Sequence, residues 1–298
     1  MILFSVFLIV IALFIILSFY LSYYSMRIKR YSFKTVRRWQ EEHYDISFYD
    51  ELEKKDYTLK SYDGYILPVQ LLINPVSTDK YILISHGYTD NHFGMLKYTK
   101  MYLDYGFNII LYDLRGHGEN ARTFCTYTIR ERRDLDILIK DCRERYPDMT
   151  VFGIHGESLG AATSIAVLEY KPKIDFVVAD CGFAEIINVM KGGLRDLHMP
   201  AWMLYAASVC TRLRYGYSYK QMRPIDSLKD NKIPILFIHG AEDTFILPFN
   251  SRAMQKETGG YSRIHIIPGA AHAASMFTAP EDYKRYVGEF LKDIGVEI

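Results

Sequence analysis

The sequence predicts an α/β domain built on a mostly parallel, eight-stranded sheet with helices on both faces, a helical cap inserted late in the chain and an apolar helix in front. Three observations predict it. From about residue 52, short apolar runs alternate with helical stretches; about fifty residues separate two consecutive runs near the end; and the first 26 residues contain no Asp, Glu, Lys or Arg. With 298 residues and 49% hydrophobic content the chain can build one large core. A formal charge of +1 supplies no field that would gather nucleic acid.

The leading stretch "ILFSVFLIVIALFIILSFYLSYY" would be roughly 35 Å long as a helix, enough to cross a bilayer. It has no basic segment before it and no A-x-A site after it, so it reads as an uncleaved anchor over residues 1–25 rather than a signal peptide. Arg27, Lys29, Arg30, Lys34, Arg37 and Arg38 follow it directly. The positive-inside rule then puts the remainder on the cytoplasmic face, with 26–51 as a basic juxtamembrane linker that touches headgroups or is simply solvated.

The domain proper covers 52–298. "DYTLKSYDGYILPVQLLI" reads as two strands around an Asp63-Gly64 turn. Strands follow at 80–87, 107–113, 149–156, 174–180, 233–240 and 262–269, each a continuous apolar run suited to burial on both faces. Helical stretches fall near 94–105, 129–146, 159–170, 251–258 and 280–294, and strand-helix-strand repetition implies right-handed crossovers. The segment of about 182–231 is too long for a simple crossover and reads as a cap over the carboxyl edge of the sheet. Within it Met199, Trp202, Met203, Leu204 and Tyr205 either line an apolar pocket or pack the cap onto the sheet. Asp226 reads as a helix cap. Cys125, Cys142, Cys181 and Cys210 have neither zinc-site nor disulfide-framework spacing.

One junction carries chemistry. "VFGIHGESLGAATSIA" places G-x-S-x-G between a strand and a helix, so that Ser158 sits on a sharp turn with its hydroxyl exposed above the sheet. A serine hydroxyl needs a base to take its proton and a carboxylate to orient that base. Of nine histidines, His86, His155 and His239 end strands, His117 lies in the "DLRGHG" loop and His265 lies inside a strand. His272, on the loop of "IIPGAAHAASM", is the best base. Asp243, on the loop of "FIHGAEDTFILP" beside Glu242, is preferred as the acid over Asp180. The order Ser158, Asp243, His272 is nucleophile, acid, base.

The motifs "ISHGYTDN", "LYDLRGHGEN", "IHGESLGAAT", "FIHGAEDTFILP" and "PGAAHAAS" resemble, in order and spacing, those of the α/β-hydrolase superfamily. Within it the chain is similar to membrane-anchored bacterial serine hydrolases related to prolyl-oligopeptidase-like and acyltransferase-like hydrolases. That resemblance implies an oxyanion hole made by the amides of Tyr88 and Leu159, and no metal or organic cofactor. The leading function is a membrane-anchored serine hydrolase acting on a carboxylic ester, with a peptidase or amidase using the same triad and a non-catalytic binding protein as alternatives. The partners anticipated are a small or lipid-like ester and the membrane, with no nucleic acid.

Overall fold

The computed structural model describes residues 2–298. Helices α1 (Ile2–Met26), α2 (Phe33–His43) and α3 (Phe48–Glu51) lead into the hairpin β1 (Lys54–Lys60) and β2 (Ile66–Leu72). Gly64, at φ +84°, takes the left-handed position of the turn between them. Then follow β3 (Lys80–Ser85), α4 (Leu96–Asp104), β4 (Asn108–Tyr112), α5 (Glu131–Arg145), β5 (Val151–Glu157), α6 (Leu159–Ala166) and β6 (Phe176–Asp180). The cap carries α7 (Ile186–Asp196) and α8 (Met203–Tyr215). The chain closes with β7 (Ile235–Gly240), α9 (Phe249–Glu257), β8 (Ser262–Ile267), α10 (Ser275–Thr278) and α11 (Pro280–Asp293).

The sheet order is β1-β2-β4-β3-β5-β6-β7-β8. β1, β2 and β4 pair antiparallel, and every pair from β4 to β8 is parallel. Because side chains alternate along a strand, the buried strands feed two cores. Leu83, Ile154 and Phe237 pack on one face, while Ile82, Ile84 and Ile238 pack on the other. The loops leaving the carboxyl ends of β3, β5, β7 and β8 meet on one edge, where open α/β sheets bind ligands.

Two features depart from the expectations. Residues 33–43 of the basic linker fold as α2, capped by Ser32, with Val36 and Gln40 buried and Arg37 paired to Glu41 and Asp50. Asp226 is not a helix cap: it lies inside a 3₁₀ turn, Pro224–Ser227, and pairs with Arg223 beside it.

Helix α1 is long and apolar enough to cross a membrane, and most of it is exposed. Its last turns, however, join the domain. Ser18, Ser22 and Met26 are buried, Thr211 Oγ1 donates to Ser22 Oγ at 2.8 Å, and Cys125 N donates to Met26 O at 2.9 Å.

Candidate active site

β5 delivers the chain to Ser158 and α6 carries it away. Ser158 itself adopts φ 54°, ψ −112°, a conformation costing a non-glycine residue about 1–3 kcal/mol that the surroundings must hold in place. Its amide donates to Asp180 O at 2.8 Å, and its carbonyl accepts from Ala162 N at 3.0 Å. The flanking glycines allow strand and helix to cross this closely. A Cβ on Gly156 would fall 2.4 Å from the Gly160 carbonyl, and one on Gly160 would fall 2.1 Å from Ser85 O.

The loops after β7 and β8 bring Asp243 and His272 to this serine. Ser158 Oγ lies 3.0 Å from His272 Nε2, and His272 Nδ1 lies 2.7 Å from Asp243 Oδ2. Asp243 is buried, and its Oδ1 accepts from the amides of Phe245 (2.9 Å) and Ile246 (2.8 Å). Burial pushes its carboxyl up, but hydrogen bonds from His239 and His272 outweigh burial and hold it well below the ordinary carboxylate range. An ionised Asp243 can only accept, so His272 Nδ1 carries a proton and Nε2 is left free to accept from the serine hydroxyl.

His239 does more than end a strand. It sits four residues before Asp243, fully buried, with Nε2 3.1 Å from Asp243 Oδ2 and 2.6 Å from Ile246 O, and Nδ1 2.7 Å from Ser251 Oγ. The remaining histidines stay away from the serine. His86 accepts from Leu114 N and reaches Gly87 O, His155 meets Tyr102 OH, and His265 stacks on Tyr286. Burial pushes His117 and His155 down to about 3, leaving both neutral at pH 7. Asp180 does not reach His272. Its carboxylate accepts from Tyr98 at 3.1 Å and Ser275 at 3.3 Å, and burial, with Glu157 nearby, pushes it up to about 6.

A second pair had no signal in the sequence. Glu157, one residue before the serine, is buried with Lys97 Nζ 2.5 Å away and accepts from Tyr98 OH at 2.6 Å. Although burial pulls Lys97 down, Glu157 holds it above the ordinary lysine range. The pair is therefore an ion pair, and the negative charge beside the nucleophile is cancelled.

The backbone after β3 runs against the serine: a Cβ on Gly87 would lie 3.4 Å from Ser158 Cβ. Tyr88 and Leu159, the residues that follow Gly87 and Ser158, make no internal hydrogen bond through their amides among the described residues. Tyr88 lines both cavities that open at Ser158, and its hydroxyl donates to Arg27 O at 2.5 Å. Two cavities meet at Ser158. One, of about 470 Å³, mixes apolar walls from Val36, Trp39 and Phe277 with polar groups from Thr35, Gln40, Asp90, Lys97 and Glu157, and Gln40 Oε1 is buried there without a partner. The other, of about 440 Å³, is mainly apolar, with Leu21, Phe183, Ile186, Val189, Leu194 and Phe245 among its walls. Of the cap residues weighed for a pocket, Leu204 lines this second cavity and Met203 is buried, whereas Trp202 and Tyr205 point outward.

An eight-stranded, mostly parallel sheet with a serine on a strand-to-helix elbow defines the α/β-hydrolase fold, and solved structures agree. The Pyrococcus furiosus esterase Pf2001 superimposes with a TM-score of 0.67 at 24% identity, over 84% of this chain and 94% of its own. An acylaminoacyl peptidase from Pyrococcus horikoshii superimposes with a TM-score of 0.63 at 17% identity, over 84% of this chain and 43% of its own. The model of the family described as serine aminopeptidase, S33, matches residues 77–231, more than half of the chain, and the chain belongs to that family of serine hydrolases. A Bacillus subtilis relative, described as uncharacterised protein YqkD, is 29% identical over 264 residues, 87% of this chain and 86% of its own.

Proposed function

We propose that the protein is a membrane-anchored serine hydrolase that cleaves a carboxylic ester, with Ser158 as nucleophile, His272 as base and Asp243 as the acid that orients it. The observation that carries this reading is the continuous relay from Ser158 Oγ through His272 to Asp243 at 3.0 and 2.7 Å, opening onto a mainly apolar cavity. His272 Nε2 takes the hydroxyl proton as Ser158 Oγ bonds to the ester carbonyl carbon, and Asp243 stabilises the imidazolium. The amides of Tyr88 and Leu159 receive the oxyanion, each such donor being worth about 2.7–4 kcal/mol of the barrier. Collapse breaks the bond to the alkoxy oxygen, which leaves as an alcohol with the proton from His272. Water, deprotonated by the same imidazole, then releases the acid and restores Ser158.

The acyl part occupies the cavity walled by Leu21, Phe183 and Leu194, and the alcohol part the other, where Thr35, Gln40 and Lys97 offer polar groups. α1 serves as the anchor, the hydrolase domain spans 52–298 with its cap at about 182–231, and the basic residues after α1 place the domain on the cytoplasmic face. Matched p-nitrophenyl esters and p-nitroanilides of one acid test the chemistry. Ester turnover well above amide turnover, lost in Ser158→Ala and His272→Ala, is the expected result; preferential anilide cleavage would replace the ester reading with a peptidase. Digestion of the domain by protease added outside intact cells would reverse the topology.

A further inference from the structure

We propose that the anchor helix is part of the substrate site: the last turns of α1 wall the acyl cavity, the cap helix α8 lies in the bilayer beside them, and the substrate is a long-chain acyl ester drawn from the membrane. This rests on the ester reading above and adds the substrate class and its route of entry.

α8 runs alongside the second half of α1 in the same direction. The Phe14 and Trp202 rings lie 5.5 Å apart, Thr211 donates to Ser22, Arg214 sits 5.3 Å from the Tyr23 ring, and Tyr219, just past α8, meets Ser25 at 2.5 Å. At 1.5 Å per residue, the part of α1 before Phe14 is only about 18 Å long, against a hydrocarbon layer of about 30 Å. If α1 crosses the bilayer, the stretch flanked by α8 must lie within it, and α8 enters the same layer.

The outer face of α8 suits that position. Trp202, Tyr205, Val209 and Leu213 recur at helical spacing and are 57%, 52%, 60% and 74% exposed. Arg212 and Arg214 stand at the end of the helix beside Tyr23, where a headgroup layer would begin. An apolar stripe aligned with a spanning helix is covered by acyl chains, and its basic end meets the headgroups.

The cavity lies just inside this wall. Leu21, Tyr24 and Ser25 of α1 line it together with Leu194 of α7 and Leu197 just past that helix, Leu197 being 63% exposed at the rim, and Ser158 stands at its inner end. Tyr127 OH donates to Ser25 O at 2.5 Å, and Tyr88 OH to Arg27 O at 2.5 Å, so the end of α1 is fastened to the loops around the serine. A bilayer-resident acyl chain enters this cavity without its hydrocarbon crossing water, while its polar alcohol half meets Thr35, Gln40 and Lys97 on the other side of Ser158.

Two measurements on the full-length chain in phospholipid vesicles test this. Trp39 and Trp202 are the two tryptophans, so in Trp39→Phe the emission reports Trp202 alone. Bromines placed along the lipid acyl chains should quench most of that emission; a water-like, unquenched Trp202 overturns the placement of α8. For the cavity wall, Leu21→Trp narrows the acyl site, and the ratio of p-nitrophenyl palmitate to p-nitrophenyl acetate turnover should fall about tenfold. Ile9→Trp, on the exposed part of α1, should leave the ratio at the wild-type value. A ratio unchanged in Leu21→Trp overturns the role of α1 while the ester reading stands. Wild-type protein that takes a fluorophosphonate on Ser158 yet cleaves neither ester defeats the ester reading itself, and the quenching measurement still decides where α8 lies.

Discussion

Replacing Asp243 by Asn probes the proposed relay at its most constrained point. The carboxylate accepts four hydrogen bonds: Phe245 and Ile246 amides on Oδ1, His239 and His272 on Oδ2. In Asp243→Asn, Oδ1 can keep the two amides, but the NH₂ then faces two ring nitrogens that were donating. His272 escapes this clash by moving its proton to Nε2, where it points at Ser158 Oγ and can no longer accept. The expected loss in kcat is about 10⁴-fold, or about 5 kcal/mol in the barrier, as for other triads caught in the wrong tautomer. Ester turnover and the rate of fluorophosphonate labelling both read it. The same substitution has a signature in stability. Because the folded carboxyl sits below its ordinary value of about 3.9, its contribution is fully present above that pH and is lost as pH falls through the folded value. Wild type should therefore exceed Asp243→Asn in urea stability by a constant margin between pH 5 and 8, shrinking below about pH 4. A folded Asp243→Asn enzyme that loses less than about tenfold in kcat would refute the assignment of Asp243 as the orienting acid.

Three further outcomes follow from the same geometry. Lys97→Met strands the buried Glu157 charge and should cost about 3–5 kcal/mol in denaturant unfolding, partly restored by adding Glu157→Gln. His239→Ala removes a donor to the ionised Asp243 and should lower kcat about 10- to 100-fold with KM little changed, a split that steady-state kinetics resolves. Gly160→Ala places a methyl 2.1 Å from Ser85 O, backbone that has no room to yield, and should cost about 3 kcal/mol or prevent soluble expression.

Much of the fold was legible because its signals are local. A run such as 80–87 is continuously apolar, and Lys80–Ser85 is a central strand with its last four residues buried. The Asp63-Gly64 pair marks a hairpin that the register Lys60↔Ile66 realises. Ser158, Asp243 and His272 could be picked out because each sits on a turn at a strand end, and the fold brings all three within hydrogen-bonding reach. What could not be read depends on partners far away in the chain. Lys97 looks like any helical lysine in "GMLKYTKMYL", and only the approach of Glu157 makes it a buried ion. Ser22 and Thr211 are unremarkable polar residues until two helices nearly two hundred positions apart lie side by side. Trp202 and Tyr205 resemble core residues by composition, yet the face they occupy is set by how α8 packs on α1, and they point outward. His239 carried a faint local signal, a histidine four residues before an acid at a strand end.

The central claim is that Ser158 is an activated nucleophile, and the most direct measurement maps where a fluorophosphonate attaches. Full-length protein in detergent is labelled, digested and analysed by mass spectrometry alongside Ser158→Ala and His272→Ala. A single adduct is expected on the peptide carrying Ser158, absent in Ser158→Ala and strongly slowed in His272→Ala. Folded wild-type protein that takes no label, or takes it on another residue with Ser158 untouched, would contradict it.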